Sequence, residues 1–333
     1  MKRKTLLMVV LLALVLTLVT QATAQQQGRG RGMIGDWIVK TEFNGRTMES
    51  ILAFSRDQDG NPTAQWIGFM GVTDLKDVKF EDGQLSYTQE RRGRDGQTMT
   101  STFKGTVADG KLTGTLSSDR GTMEMTGERA PRMPWAVGSW DISMKREERE
   151  FNATLVITAD EDGNLKGQWQ SERGQMAVSD LQLERRDLSF TLKSTNPDRQ
   201  WETKFEGTLG RDGLTGAFKS ERGEMAAQGT RQGADLIGTW NLDIESQRGQ
   251  RKGRLRINPD MSALYGAMKI EKLDVADGKI GFKVTRTFGD REFEMNFAGK
   301  VQDEKLMGEM TTSMGSQKIT GTRVVRQRRR PSM

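Results

Sequence analysis

Gly138-Ser139-Trp140-Asp141-Ile142-Ser143-Met144 alternates apolar and polar residues, and its opening Gly-x-Trp returns as Gly35-Asp36-Trp37 and Gly238-Thr239-Trp240. An apolar residue precedes each copy: Ile34, Val137, Ile237. Phe-x-Gly follows later in each unit, at Phe103/Gly105, Phe205/Gly207 and Phe297/Gly299. Nine residues after each Phe comes Leu-x-Gly, at Leu112/Gly114, Leu214/Gly216 and Leu306/Gly308. Seventeen residues after each Leu comes the Arg of Gly-x-Arg: Arg129, Arg231, Arg323. Invariant spacing in three copies defines tandem units.

Period-2 alternation is the mark of half-buried strands. It recurs in Arg254-Leu255-Arg256-Ile257 and Phe293-Glu294-Met295-Asn296-Phe297, and no helical stripe competes with it. Asp-Gly pairs at 59–60, 82–83, 109–110, 162–163, 212–213 and 277–278 supply hairpin turns. The pattern predicts an all-β chain of three tandem eight-stranded antiparallel up-and-down barrels, since closure removes the exposed edges of a meander. Leu165–Met176 reads against Leu214–Met225 within one unit. That inner duplication leaves a six-bladed β-propeller of four-stranded blades as the alternative.

The predicted boundaries are a signal peptide at 1–24, a flexible segment at 25–32, barrels at 33–129, 136–231 and 236–325, and a basic tail at 326–333. Lys2, Arg3 and Lys4, the apolar run from Leu6 to Leu18 and Ala22-Thr23-Ala24 form the secretory pattern. No Cys follows it, so lipid attachment is not expected. A secreted chain without cysteine suits a bacterial periplasm or exterior.

Strand parity turns Arg129, Arg231 and Arg323 inward on the last strand of each unit. Their expected partners are Trp37, Trp140 and Trp240 on the first strand, as cation–π closures that exist only if the sheet closes. A Gly-x-Trp first strand with an Arg on the last resembles the calycins, the lipocalin and avidin group of barrels. That resemblance implies a Trp–Arg pair at one end and small-molecule binding at the other. The units are shorter than lipocalins and lack their Thr-Asp-Tyr motif and cysteines. They are similar also to uncharacterised all-β modules of secreted bacterial hydrolases. The inward glycines either let a small barrel coil or leave room for a ligand.

The chain has 333 residues, a formal charge of +6, and neither His nor Cys. Imidazole triads, thiol nucleophiles and Cys/His zinc sites are therefore excluded. No P-loop or nucleophile elbow is present, and no carboxylate pair stands out, so no catalytic residue, metal ligand or cofactor is assigned. The positive charge sits in the signal segment, Arg29, Arg31 and the tail run Arg326, Arg328, Arg329 and Arg330. A near-neutral body speaks against nucleic acid as partner. The tail is a candidate to touch anionic envelope components. Asp160-Glu161-Asp162-Gly163-Asn164 reads as a turn.

The expected function is a secreted, non-catalytic binding or scaffold protein whose charged barrel mouths engage a polymer, a partner protein or an anionic ligand. The alternative is a carrier of small apolar molecules in the barrel cavities; a carboxylate-based hydrolytic or accessory enzyme comes third. The ligand class stays open between small molecule, glycan and partner protein, as does the oligomeric state. Tight Asp-Gly turns are expected at the Trp end, and long charged loops at the other. In the middle unit Arg146, Arg149, Arg173, Arg199 and Arg222 are the candidate mouth residues, because guanidinium forks match carboxylate, sulfate and phosphate.

Overall fold

The structure, a computed structural model, describes residues 32–324 apart from 44, 70, 93–95, 173, 197, 199, 222, 248 and 289–290. The signal segment, most of 25–32 and the basic tail lie outside the described residues. Every regular element among the described residues is a β-strand.

The first barrel comprises β1 (Gly35–Phe43), β2 (Arg46–Arg56), β3 (Pro62–Gly68), β4 (Gly71–Asp74), β5 (Lys76–Glu81), β6 (Gln84–Arg92), β7 (Thr98–Ala108), β8 (Lys111–Ser118) and β9 (Gly121–Arg129). The middle one comprises β10 (Gly138–Arg146), β11 (Arg149–Ala159), β12 (Leu165–Ser171), β13 (Gly174–Glu184), β14 (Asp187–Ser194), β15 (Glu202–Leu209), β16 (Gly213–Ser220) and β17 (Gly223–Arg231). The third comprises β18 (Gly238–Ser246), β19 (Gly249–Ile257), β20 (Ala263–Tyr265), β21 (Met268–Ile270), β22 (Leu273–Ala276), β23 (Lys279–Phe288), β24 (Arg291–Gln302), β25 (Lys305–Thr312) and β26 (Gly315–Arg323).

In each case the first strand pairs antiparallel with the last, Trp37 opposite Arg129, Trp140 opposite Arg231 and Trp240 opposite Arg323. Each unit of about a hundred residues therefore closes on itself, and the propeller is not formed. The middle barrel is a continuous ring of eight strands. The outer two are sheets of nine, because the fourth strand of the meander is broken into β4 and β5 and into β21 and β22. At Leu75 the N–H still donates to Ala64 O (2.9 Å), then the chain crosses to β6. The whole strand β13 absorbs the same bend through a bulge between Ser179 and Gln182, with Asp180 at φ 55°.

Asp82-Gly83, Asp109-Gly110 and Asp277-Gly278 have positive φ at both residues, as a tight hairpin matched to strand twist requires. The Asp-Gly turns do fall at the Trp end, but the expected contrast in loop length does not hold. Five-residue connections, 57–61 and 160–164, also fall at the Trp end. Lys145–Arg149 is no long loop: Arg146 and Arg149 are ladder partners, and Glu147 turns the chain at φ 54°. Asp57 and Asp160 brace the two longer connections alike, each accepting from the backbone N–H of Asn61 or Asn164 at 2.8 Å.

The residues divide into two compact units, one ending at Ala130 and one beginning at Pro131. Within the second, the two barrels meet where Gly138 approaches Pro259 in the β19–β20 connection. A Cβ on Gly138 would lie 2.6 Å from Pro259 O, and its φ of +132° suits glycine alone.

The repeated Phe-x-Gly and Leu-x-Gly serve one packing unit. Gly207 and Gly216 are ladder partners, and the Phe205 ring lies across both. Ideal Cβ atoms there would stand 2.5 and 2.6 Å from Phe205 Cζ. Phe103 covers Gly105 and Gly114 in the first barrel, and Phe297 covers Gly299 and Gly308 in the third. The space the glycines open is thus occupied by an aromatic ring, which restores apolar contact along the bare backbone.

Candidate functional site

One end of every barrel is closed by a strap. The residues before the first strand cross the opening, and Met33, Ala136 and Leu236 are buried there. The indole N–H of each Trp donates to the carbonyl four residues back: Trp37 to Met33 (2.9 Å), Trp140 to Ala136 (3.0 Å), Trp240 to Leu236 (2.8 Å). The Arg on the last strand binds the same strap. Arg129 donates to Ile34 O (3.1 Å), Arg231 to Val137 O and Trp135 O (each 2.5 Å), and Arg323 to Ala234 O (3.3 Å). Each guanidinium also lies over its indole, at 5.4, 4.1 and 5.0 Å from the ring centroid. Burial pulls Arg231 down to about 10, offset in part by Asp212. It remains a cation at neutral pH, so the stacking keeps its charge.

The opposite ends differ among the three barrels. Of the candidate mouth residues in the middle barrel, Arg149 is exposed at the start of β11, and Arg146 is its ladder partner. The Arg146 side chain and Arg173, Arg199 and Arg222 lie outside the described residues. Beneath that rim the middle barrel is apolar. Met144, Ala153 and Leu192 are buried, and Trp169, Phe190, Phe205 and Phe218 interlock with centroids 4.8–6.2 Å apart.

Register places Thr41, Ser50 and Gln89 of the first barrel at the positions of Met144, Ala153 and Leu192. All three polar residues are buried. Arg91 follows Gln89 on the inner face of β6, with its guanidinium 5.4 Å from the Trp66 ring centroid. With the Gln89 amide oriented by its hydrogen bonds, its oxygen accepts from Arg91 Nη2 (3.1 Å) and Nε (3.2 Å). Arg91 is exposed at the rim; partial desolvation of its guanidinium lowers it from the usual range, and the neighbouring Tyr87 opposes this. Glu90 faces the other side and pairs with Lys76 at 2.6 Å.

In the third barrel Arg286 stands at the register position of Arg91, and Arg251 donates to Gln317 at 2.7 Å. Parity along β6 and β23 is the signal in the sequence that sets Arg91 and Arg286 on the inner face.

A shallow groove of about 660 Å³ lies on the outer face of the middle barrel, across β17, β10, β11 and β12. Asp141, Asn152, Gln170 and Gln228 line it, and Asp141 is held by Gln232 Nε2 at 2.6 Å. Among the described residues no group of three Asp or Glu could hold a metal ion.

No family model matches the chain, and no curated protein is significantly similar to it. Solved structures align at low identity. A putative outer membrane protein of Bacteroides fragilis is 10% identical, with 88% of this chain and 98% of that one covered, at a TM-score of 0.23. A DUF3598 protein of unknown function from Nostoc punctiforme is 9% identical, with 88% and 97% covered, at 0.21. Transferrin binding protein B from serogroup B Neisseria meningitidis is 11% identical, with 87% and 75% covered, at 0.18. Superpositions this weak carry no argument about this chain, and its barrels are defined by their own ladders.

Proposed function

We propose that this chain is a secreted or periplasmic, non-catalytic binding or scaffold protein. It engages a polymer, a partner protein or an anionic ligand through the barrel ends opposite the Trp–Arg closures. The observation that carries this is the filled interior. Trp140, Trp169, Phe190, Phe205 and Phe218 are each at most 2% exposed. Close-packed rings leave little room for a carried apolar molecule. A strap blocks the other end, so recognition falls to the mouths and outer faces. Arg149 with Arg146, Arg173, Arg199 and Arg222 is the proposed contact set in the middle barrel. The basic tail is proposed to add attraction to anionic envelope components.

Native mass spectrometry of protein from its own host tests this. The expected result is bare polypeptide mass together with capture of the chain by surface polymer or partner. A stoichiometric apolar ligand released on unfolding would replace the proposal with the carrier.

A further inference from the structure

We infer that the mouth of the first barrel holds a carboxylate group, forked by Arg91 and received by the Trp66 indole N–H and the Ser50 hydroxyl beside Gly68. This rests on the proposal that the mouths bind. Four features of the barrel converge on it.

The first is a prepared guanidinium. Gln89, 1% exposed, takes one N–H from Nε and one from Nη2. Both hydrogens of Nη1 and the second of Nη2 remain, and this end-on edge can fork a carboxylate. The guanidinium carbon lies 5.4 Å from the Trp66 ring centroid, a cation–π contact that holds it over the indole. Among the described residues no carboxylate pairs with Arg91.

The second is a pair of donors on largely buried side chains. Trp66 and Ser50 are each 6% exposed, and Trp66 Nε1 and Ser50 Oγ make no hydrogen bond to another described residue and keep access to solvent. The three strand-one tryptophans spend their N–H on the strap, whereas that of Trp66, on β3, is not committed there.

The third is room. Gly68 shares the inner face with Trp66, and its absent side chain leaves a notch. An ideal Cβ there would stand 3.2 Å from Trp66 Nε1 and 3.6 Å from Ser50 Oγ. An oxygen atom in that notch is within reach of both donors. The Arg91 guanidinium lies 5.4 Å from the centroid of the same indole, so the notch and the cation share one ring.

The fourth is contrast within the molecule. The middle barrel has Ser194 in place of Arg91, Leu192 in place of Gln89 and Ala153 in place of Ser50. Its Trp169 Nε1 is buried with no partner and no notch beside it, since Ser171 replaces Gly68. A merely structural need for Trp does not require the polar set; the first barrel carries it and the second does not.

The carboxylate can come from a free small acid or from an acidic sugar chain. The test is titration of the chain from Gln25 onward, followed by the indole N–H signals of its seven tryptophans. Trp66 is assigned through Trp66→Phe. Acetate, trigalacturonate and its methyl ester are the probes, with sodium chloride at equal ionic strength as control.

The Trp66 signal should move with acetate and not with chloride. Arg91→Met, which keeps an apolar stem on the ring, should raise the midpoint at least tenfold. Gly68→Ala should abolish the shift while the other six indole signals stay in place. Trigalacturonate binding at least tenfold tighter than acetate, lost in the ester, would assign the site to a polymer; equal binding assigns it to free acids. A Trp66 signal that moves no more with acetate or trigalacturonate than with chloride, or a shift that survives both substitutions, overturns the site. Capture of a host polymer or partner by a chain whose Trp66 never responds would overturn this site alone and leave the proposed mouth function standing.

Discussion

Replacing Gly216 with Ala should destabilise the middle barrel, although alanine is ordinarily preferred to glycine inside a strand by about 0.5–1 kcal/mol. The added methyl would lie 2.5 Å from Glu206 O, 2.6 Å from Gly207 Cα and 2.6 Å from Phe205 Cζ. The first two are backbone atoms of β15 and cannot turn aside. The ring can, but it is stacked on Phe190 at 4.8 Å and tilted against Phe218 at 5.1 Å. Overpacking of this kind costs about 1–3 kcal/mol. Disturbing an aromatic contact adds about 0.5–1.5 kcal/mol. Less the ordinary preference for alanine, the net loss is about 0.5–4 kcal/mol. Hydrogen exchange read by mass spectrometry suits a chain of several barrels, because it reports each region separately. Protection of the β15–β17 amides should fall by roughly 2- to 900-fold, and that of the first barrel should not change. Gly213→Ala is the control, since its nearest contact would be 3.7 Å away. Equal or greater protection in Gly216→Ala would refute the role assigned to the Phe–Gly–Gly unit.

Trp240→Ala should cost about 3–5 kcal/mol, as for a buried aromatic; Arg323→Ala should cost less, and strict additivity of the two in a double-mutant cycle would contradict their contact. Gly138→Ala forces a side chain into φ +132° against Pro259; it should cost about 1–3 kcal/mol and raise exchange in 258–262. Glu206 is held down at about 2 by hydrogen bonds from Lys204 and Lys219 and by their charges. A carboxyl depressed on folding contributes stability above its unfolded value, 4.5, which is lost as pH falls through about 2. An NMR titration of the Glu206 carboxyl checks this: a midpoint near 4.5 would remove the Lys–Glu–Lys cluster, whose contribution is small because all three side chains face water.

The barrel repeat was legible because each of its devices has a fixed residue requirement. Trp and Arg must face one another across the closing ladder, and a ring needs two bare glycines at a set spacing. The break in the fourth strand was not legible. Leu75 and Glu271-Lys272 carry no turn signal, and the bend comes from sheet closure rather than from local propensity. Loop length misled for a related reason: Lys145-Arg146-Glu147-Glu148-Arg149 is charged enough to look like a loop, yet Glu147 accepts a left-handed backbone and keeps the hairpin tight. The inward Arg91 was legible by parity alone, but a charge on a strand is read by default as outward. Only the three-dimensional register shows that Gln89 prepares it.

The pairing of first strand with last has a mechanical consequence. β1 begins and β9 ends at the same end of the first barrel, as do β10 and β17, and β18 and β26. Pull on the chain therefore enters and leaves each barrel side by side. It parts the terminal ladder bond by bond, like a zip, instead of shearing all its bonds at once. Forced opening is set by the barrier at the point of loading, and here that point is the Trp–Arg strap. Under tension the three barrels behave as coiled lengths of tether behind three clasps. Each clasp that slips releases the roughly one hundred residues of its own barrel.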